Sequence, residues 1–382
     1  MKPQITDIAS VLFCCLSGCL LASNAFSNPA IAQVIPFSTL ADSEPVDADE
    51  SDTDADNLAF SSVETEIYED ESGAGGCCGC CPAAAAAGCV CFDDWCGPWR
   101  LEMETFFWDR SAAGPTDLIR TTAAAAPSTV SLRGSDLSFS HDAGYRFSIY
   151  RQTNDCVAWE FNYADDDWDT TRTINGANNL LAVTGSTNYA TADQIQASYR
   201  SEYSGFEINR HACVRGNLSW LMGFRMVCVD EVFNMRSTDN GNAQTSDYNI
   251  RTQNHLWGAQ VGGMWHVWLL DRVQARVVGK TGLYGNNASQ RVRMGDINNI
   301  VLRRDFFNRG GSTAMVSQLE VILDYELLPC WFVRVNYDMN WIQGLGLAPD
   351  QFQNDISNAD AALRTNGDIF SHGFSIGVTT TF

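Results

Sequence analysis

Lysine is almost absent from this 382-residue chain, which carries only Lys2 and Lys280. Residues 3–99 contain neither lysine nor arginine, and the formal net charge of the whole chain is −22. Binding to nucleic acid depends on cationic side chains that neutralise phosphates. The sequence therefore argues against a nucleic-acid partner.

Long apolar runs are also lacking. The only candidate, Ile8–Ala22, is too short for a membrane-spanning helix and is typical of the apolar core of a signal peptide. Small residues fit cleavage after Ala25 or Ala32, so we predict a signal peptide over residues 1–32 and an exported protein. An alternative is Leu16-Ser17-Gly18-Cys19, which resembles a lipobox and would make Cys19 a lipid anchor. If the chain crosses a bilayer without a membrane-spanning helix, it must do so as a closed β-barrel, because only a barrel then satisfies every backbone polar group in lipid.

Residues 33–76 are acidic and poor in aromatic residues. Residues 33–98 carry 15 Asp or Glu and no basic residue. Such a stretch cannot bury enough apolar surface to fold alone, so residues 33–76 are predicted to be a disordered linker. Calcium binding by the carboxylates is the alternative, although no EF-hand spacing is present.

A cysteine-rich segment follows at residues 77–98. In an exported protein, clustered cysteines predict disulfides within the segment or between chains, and their odd number indicates an external partner. Zinc is a second possibility because two pairs have the two-residue gap of a metal knuckle, but adjacent cysteines and the lack of a nearby histidine weaken it. We predict no metal and no cofactor. The disulfide candidates in this segment are Cys77, Cys78, Cys80, Cys81, Cys89, Cys91 and Cys96.

From Trp99 to Phe382 apolar and polar residues alternate in runs, which is the period-2 signature of β-strands. The connections between the runs alternate between long and short, as in up-and-down barrels. We therefore predict an all-β, antiparallel transmembrane barrel of about ten strands, with twelve as the alternative. The predicted strands are 99–108, 137–151, 156–164, 193–210, 218–234, 248–268, 273–285, 313–327, 331–343 and 369–382. The predicted long loops are 109–136, 165–192, 235–247, 286–312 and 344–368, and the short turns are 152–155, 211–217, 269–272 and 328–330.

One face of the clearest strands carries no charge, as a lipid-facing surface requires. The last strand shows this best, because its alternate residues end in a terminal aromatic ring that is typical of a barrel insertion signal. The residues of that signal are Phe374, Ile376, Val378 and Phe382. Trp331 and Trp341, at opposite ends of one strand, fit two aromatic girdles.

Several short motifs resemble the β-barrel porin type 7 family of planctomycete outer-membrane proteins. They are Trp220-Leu221-Met222-Gly223-Phe224-Arg225 with Asp230-Glu231, Trp257-Gly258-Ala259-Gln260-Val261-Gly262, Gly279-Lys280-Thr281-Gly282-Leu283-Tyr284-Gly285-Asn286 and Trp341-Ile342-Gln343-Gly344-Leu345. The resemblance covers residues 99–382 and implies a barrel in the outer membrane with pore activity. The acidic and cysteine-rich lead-in lies outside it.

The charged residues on the opposite strand face are candidates for the lumen. They could select solutes in a porin-like passage, or they could pair into a structural plug, because a ten-stranded barrel is barely wider than barrels that side chains fill. The leading hypothesis is porin-like, passive passage of small solutes. The alternative is a non-conducting structural or adhesive envelope protein cross-linked by disulfides. The lumen candidates are Arg225, Glu231, Arg276, Lys280, Glu320, Arg334 and Asp338.

The other functional expectations concern catalysis, thiols and partners. The five histidines are scattered and no catalytic motif is present, so we predict that the protein is not an enzyme. His141-Asp142 with Asp165-Asp166-Asp167 could form a hydrolytic site at the rim, but a solvated loop is the simpler interpretation.

Cys156, Cys213 and Cys330 lie at predicted short turns, so we expect them to bond to one another or to the cysteine-rich segment, with free or buried thiols as the alternative. The expected partners are outer-membrane lipid, the barrel-assembly machinery, and either disulfide-linked envelope proteins or further copies of the chain.

Overall fold

A computed structural model describes residues 96–122, 129–139, 142–154, 157–215, 217–241, 243–270, 272–355 and 362–382. The predicted signal peptide, acidic linker and cysteines before Cys96 lie outside the described residues, as do His141 and Cys156. For Cys213 only the backbone is described.

The chain forms a closed antiparallel barrel of ten strands, which confirms the predicted fold class. Twelve strands are described, and the two that stay outside the barrel are β2 and β3. Each barrel strand pairs with its neighbour along the chain, and β1 closes the ring by pairing with β12. The barrel strands are β1 (Trp99–Arg110), β4 (Asp142–Asn154), β5 (Val157–Leu181), β6 (Ala192–Arg215), β7 (Leu218–Asp239), β8 (Gln244–Leu270), β9 (Val273–Asp296), β10 (Val301–Leu328), β11 (Trp331–Leu345) and β12 (Gly367–Thr381).

The two ends of the barrel differ. At one end, which we call the turn end, neighbouring strands are joined by connections of two residues, and the barrel's first and last strands begin and end there. The backbone groups of Trp99 and Phe382 hydrogen-bond to each other at this end, at 3.0 and 2.9 Å. At the opposite end, the loop end, β2 (Asp117–Thr121) and β3 (Thr129–Arg133) form a hairpin that pairs with the end of β5. A helical turn α1 (Thr187–Ala190) and 3-10 turns at Gly134–Asp136 and Pro349–Gln351 complete the loops.

Three of the five predicted long loops are wrong. Residues 165–192, 235–247 and 286–312 mostly continue the strands, so that β5 to β10 are 22 to 28 residues long. The connection between β7 and β8 is only residues 240–243, and the one between β9 and β10 is residues 297–300. The prediction failed because strands were assigned only where one face is apolar. Hairpins that extend into water keep their cross-strand pairing although the residues on their outward face are polar.

The inward and outward faces follow the predicted alternation. The outward residues assigned from the sequence, namely Trp331, Trp341, Phe374, Ile376, Val378 and Phe382, are all exposed in the barrel. Most inward positions are buried, so the interior of the barrel is packed with side chains. Among the described residues there is also no helix of the length and apolarity that a bilayer-spanning helix needs.

Candidate functional site: a filled lumen

Charged residues fill the lumen in the part of the barrel nearer the turn end. They alternate with outward apolar residues along the strands, so strand geometry alone turns them inward. Eight buried carboxylates meet seven buried cations and His211 inside the wall. The carboxylates are Glu102, Glu104, Glu160, Glu207, Glu231, Glu320, Asp324 and Asp338, and the cations are Arg100, Arg110, Arg146, Arg225, Arg276, Lys280 and Arg334.

Asp324 is the centre of the first layer, next to the turn end. It accepts hydrogen bonds from Arg334 Nε at 2.7 Å, Arg276 Nη2 at 2.8 Å and Arg100 Nη2 at 3.2 Å. Arg334 also contacts Glu102, and its Nη1 donates to Glu104 at 3.0 Å. These contacts tie β1 to β11, β10 and β9, which lie two, three and four places away from it in the ring of strands.

A second layer of charged side chains lies further from the turn end. The guanidinium of Arg146 lies 3.1 Å from Asp338 and 3.6 Å from Glu320. Lys280 Nζ lies 3.2 Å from Glu207 and 3.6 Å from Glu320, so Glu320 joins the two halves of the layer. Charge-assisted pairs with several partners each are the arrangement that compensates buried ions for their lost hydration.

A cavity of about 20 Å³ lies among these layers. Its lining includes Glu104, Arg146, Glu160, Lys280 and Glu320. This volume holds about one water molecule. Nearly all of the described side chains that line it are buried, so they pack this part of the lumen around a space of about one water molecule.

Arg110 and Glu231 mark the boundary between the charged layers and an apolar cluster. Their side chains are fully buried and 2.5 Å apart, and Tyr199 donates to the same carboxylate at 2.6 Å. The guanidinium also lies over the rings of Phe139 and Trp168, at 4.9 and 5.6 Å from their centroids. Cation–π contacts of this kind strengthen when the cation is desolvated.

The loop end of the lumen is closed by an apolar cluster that the two longest loops supply. Residues of the β2–β3 hairpin and of segment 345–352 pack against inward side chains of the wall. The backbone N–H of Ala348 donates to Glu231 Oε2 at 2.7 Å, and Asn254 bonds both backbone groups of Gly346 at 2.8 and 3.1 Å. The cluster residues that these two connections supply include Ala113, Leu118, Ile119, Leu132, Leu137, Phe139, Leu347, Ala348 and Phe352, next to Leu345 at the end of β11.

All seven lumen candidates lie inside the wall: Arg225, Glu231, Arg276, Lys280, Glu320, Arg334 and Asp338 are all at most 7 % exposed. Sequence reasoning missed Arg100, Glu102 and Glu104, which occupy alternate inward positions of β1. The period-2 spacing of these three charges was the signal that could have found them. Sequence reasoning also missed Arg146 of β4 and Glu207 of β6, which likewise occupy inward positions.

The candidate hydrolytic residues at the rim do not form a catalytic set in the described part of the chain. Asp165 and Asp167 point outward, whereas Asp166 points inward and is 4 % exposed. Its carboxylate has no side-chain hydrogen-bond partner among the described residues. Burial raises the pKa of Asp166 to about 8, and nearby Asp142 and Asp167 add to the effect. No group of three or more metal-ligating side chains is found among the described residues either.

Cys96 and Cys330 form a disulfide at the turn end, with Cα atoms 5.7 Å apart. Cys330 lies in the turn between β10 and β11, and Cys96 precedes β1, so the bond crosses the end of β12, which lies between those strands. The backbone N–H of Cys96 donates to Thr381 Oγ1 at 3.2 Å. Thus one turn cysteine is bonded to the cysteine-rich segment. Cys228 is half-buried and reduced, and its Sγ lies 3.4 Å from His255 Nδ1.

Comparison with known proteins finds similar barrels among solved structures. The outer membrane protease OmpT of Escherichia coli aligns at 10 % identity and a TM-score of 0.40, covering 74 % of this chain and 96 % of that one. The translocator domain of the autotransporter NalP of Neisseria meningitidis aligns at 8 % identity and 0.35, covering 76 % and 91 %. The toluene transporter TbuX of Ralstonia pickettii aligns at 9 % identity and 0.31, covering 75 % and 90 %. No family model and no curated protein matches the sequence.

Proposed function

We propose that this chain is an outer-membrane β-barrel whose lumen is closed and which serves as a non-conducting structural component of the cell envelope. Membrane insertion is supported by the outward face of the barrel. On β11 the outward residues between Trp331 and Trp341 are apolar or aromatic. Ten residues at about 3.4 Å each, tilted by about 40°, span about 26 Å, which fits the apolar band of about 25 Å in membrane barrels.

The observation that carries the non-conducting role is the filled lumen. Ion pairs join strands that lie four places apart in the ring, as Arg146 of β4 does with Glu320 of β10, a cavity of about 20 Å³ lies among the charged layers, and an apolar cluster occupies the loop end of the lumen. A passage for hydrated ions or sugars needs a continuous polar channel. The barrel therefore acts as an anchor, with the lead-in held at the turn end by the Cys96–Cys330 bond and the long hairpins extended from the opposite face.

Liposome swelling tests this role. The refolded protein is placed in phospholipid vesicles, and the swelling rate is recorded in isotonic solutions of glycine, glucose and sucrose. We expect rates equal to those of vesicles carrying heat-unfolded protein. Swelling that decreases from glycine to sucrose would show a sieving pore and would overturn the proposal.

Porin-like passage of small solutes is the second candidate, and the polar character of the barrel interior favours it. Charged residues such as Arg276, Lys280 and Glu320 lie among polar and apolar ones at inward positions around the middle of the wall, and charged linings are found in solute-selective pores. This function requires that segment 345–352 and the β2–β3 hairpin leave the lumen and that the ion pairs rearrange. Swelling that appears in the wild-type protein without any substitution would support it.

A further inference from the structure

A cleft lies on the outward surface of the barrel, outside the lumen. It has a volume of about 470 Å³ and is bordered by Trp257 of β8 and by residues of β9 and β10. The floor includes Gly285 and Gly311, which have no side chain to fill it. A Cβ added at Gly285 would lie 3.7 Å from the indole of Trp257. The indole is 59 % exposed and forms one wall.

The cleft lies at one edge of the apolar band. On β8 the outward residues Trp265, Val261 and Trp257 are exposed and apolar. The next outward positions toward the loop end are polar, namely His255, Gln253 and Arg251. Trp257 is therefore placed where the headgroups of the outer leaflet begin, since tryptophan prefers this interface.

Four outward arginines lie beyond the cleft on its loop-end side, and we call them the basic patch: Arg251, Arg291, Arg293 and Arg309. Arg291 is four residues, about 13 Å, from Asn287 at the border of the cleft. Arg309 is two residues from Gly311, which is about 7 Å along the strand. Arg251 of β8 lies directly opposite Arg291 of β9, and Arg309 lies opposite Ser289 on the same face.

The basic patch is unusual in a chain with a net charge of −22. The carboxylate of Asp305 lies near it, 3.8 Å from Arg291 Nε, and the Arg291 side chain remains 62 % exposed. Like charges at directly opposed strand positions, such as Arg251 and Arg291, destabilise a sheet, and a bound anion would relieve the repulsion that Asp305, opposite Arg293, and Asp230, near Arg251, offset in part. The outward rim on β5 carries Asp165, Asp167 and Asp169, so the rim is more acidic around β5 than around β9.

We propose that the cleft and the basic patch bind the phosphorylated headgroup of an outer-leaflet lipid. Its phosphates lie among Arg291, Arg309 and their neighbours, and the adjoining part of the lipid occupies the cleft against Trp257. Arginine suits phosphate because its planar group donates two parallel hydrogen bonds. This site rests on the membrane placement in the proposed function, but it is independent of whether the lumen conducts.

Native mass spectrometry of the refolded protein in a neutral maltoside detergent tests the site. The probes are diphosphorylated lipid A, dioleoylphosphatidylcholine and inorganic phosphate. We expect wild type to retain one lipid A and no phosphatidylcholine under the same conditions. R291Q/R309Q should lower the lipid A affinity about 30-fold, since each cation near an anionic surface contributes about fivefold. W257L, which keeps an apolar residue at the band edge, should weaken binding several-fold.

The matched control is R200Q. Arg200 is an exposed arginine on β6, on the acidic side of the rim, and its side chain lies 3.2 Å from Asp167 and 2.9 Å from Glu202. R200Q should retain lipid A at wild-type affinity. Equal losses in R200Q and R291Q/R309Q, or equal retention of phosphatidylcholine, would overturn the proposal.

Two further outcomes would also overturn it. Displacement of lipid A by millimolar inorganic phosphate would assign the patch to free anions. Loss of dimeric or larger species in R291Q/R309Q, with lipid A still bound, would assign this surface to contacts between copies of the chain. Flotation of the refolded protein with phosphatidylcholine vesicles reports membrane insertion separately, so failure of the lipid site can be told from failure of the barrel to insert.

Discussion

Replacing Arg334 with methionine should destabilise the barrel more than any change to a surface ion pair. The side chain of Arg334 is 1 % exposed and compensates Asp324, Glu102 and Glu104 together. Together with Arg334, the layer has three cations and three carboxylates. R334M leaves the three carboxylates with Arg100 and Arg276 in the layer, and Glu104 additionally keeps Arg146 at 3.6 Å.

Removal of one member of a buried ion pair costs about 3 to 5 kcal/mol, because the remaining charge stays buried and uncompensated. We expect R334M to lower the free energy of unfolding by this amount. The measurement is equilibrium urea unfolding of the barrel in lipid vesicles, followed by tryptophan fluorescence. The control is R200M, whose exposed ion pairs with Asp167 and Glu202 should contribute less than about 1 kcal/mol.

The double variant R334M/D324L separates charge balance from lost packing. It leaves two cations, Arg100 and Arg276, with two carboxylates, Glu102 and Glu104. We expect it to be more stable than the sum of the two single changes predicts, by about 2 kcal/mol, because groups in one network are coupled. A loss below 1 kcal/mol in R334M, or strictly additive single changes, would refute the reasoning.

Three further predictions address the rim, the disulfide and the loops. The pKa of Asp166 is raised in the folded barrel, so the folded protein holds a proton that the unfolded chain releases above about pH 4. The contribution of Asp166 to stability therefore falls as the pH rises from about 4 to 8. D166N should raise the free energy of unfolding at pH 8 by about 1 to 3 kcal/mol and make it less dependent on pH, as measured by urea titrations. C330S should lower the stability of the oxidised protein by about 5 kcal/mol, since the bond to Cys96 closes a loop with a sequence separation of 234, and it should equal wild type in dithiothreitol. E231A removes the acceptor of the Ala348 N–H and should make segment 345–352 accessible to chymotrypsin, which can cleave after Leu347 or Phe352, within minutes; a digest identical to that of the wild-type protein would contradict this.

The architecture of the barrel could be predicted because strand periodicity is a local property. Alternation in β11 and β12 directly gives the outward face, and the lumen charges occupy the intervening positions. The extended hairpins could not be found this way, because residues such as Thr171 and Thr173 of β5 lie in a polar stretch without an apolar face. Cross-strand pairing holds them in place, and pairing is not visible in one segment.

The closure of the lumen is likewise a long-range property. Arg110 meets Glu231 across a sequence separation of 121, and Asn254 bonds Gly346 across 92. Neither spacing carries a motif, and only the ring of strands brings the groups together. A disulfide between a turn cysteine and the cysteine-rich segment could be predicted from the sequence. Which two cysteines form it, Cys96 and Cys330, depends on the register of β1, β12 and β11.

Single-channel conductance of the refolded barrel in a planar bilayer tests the closed lumen most directly. Insertion is first verified by the resistance of the barrel to external protease, and the recording is made at neutral pH in 1 M potassium chloride. We predict a silent membrane, because ion pairs and the apolar cluster leave room for about one water molecule between the charged layers. Discrete conductance steps from inserted wild-type protein, absent after heat unfolding, would contradict the account.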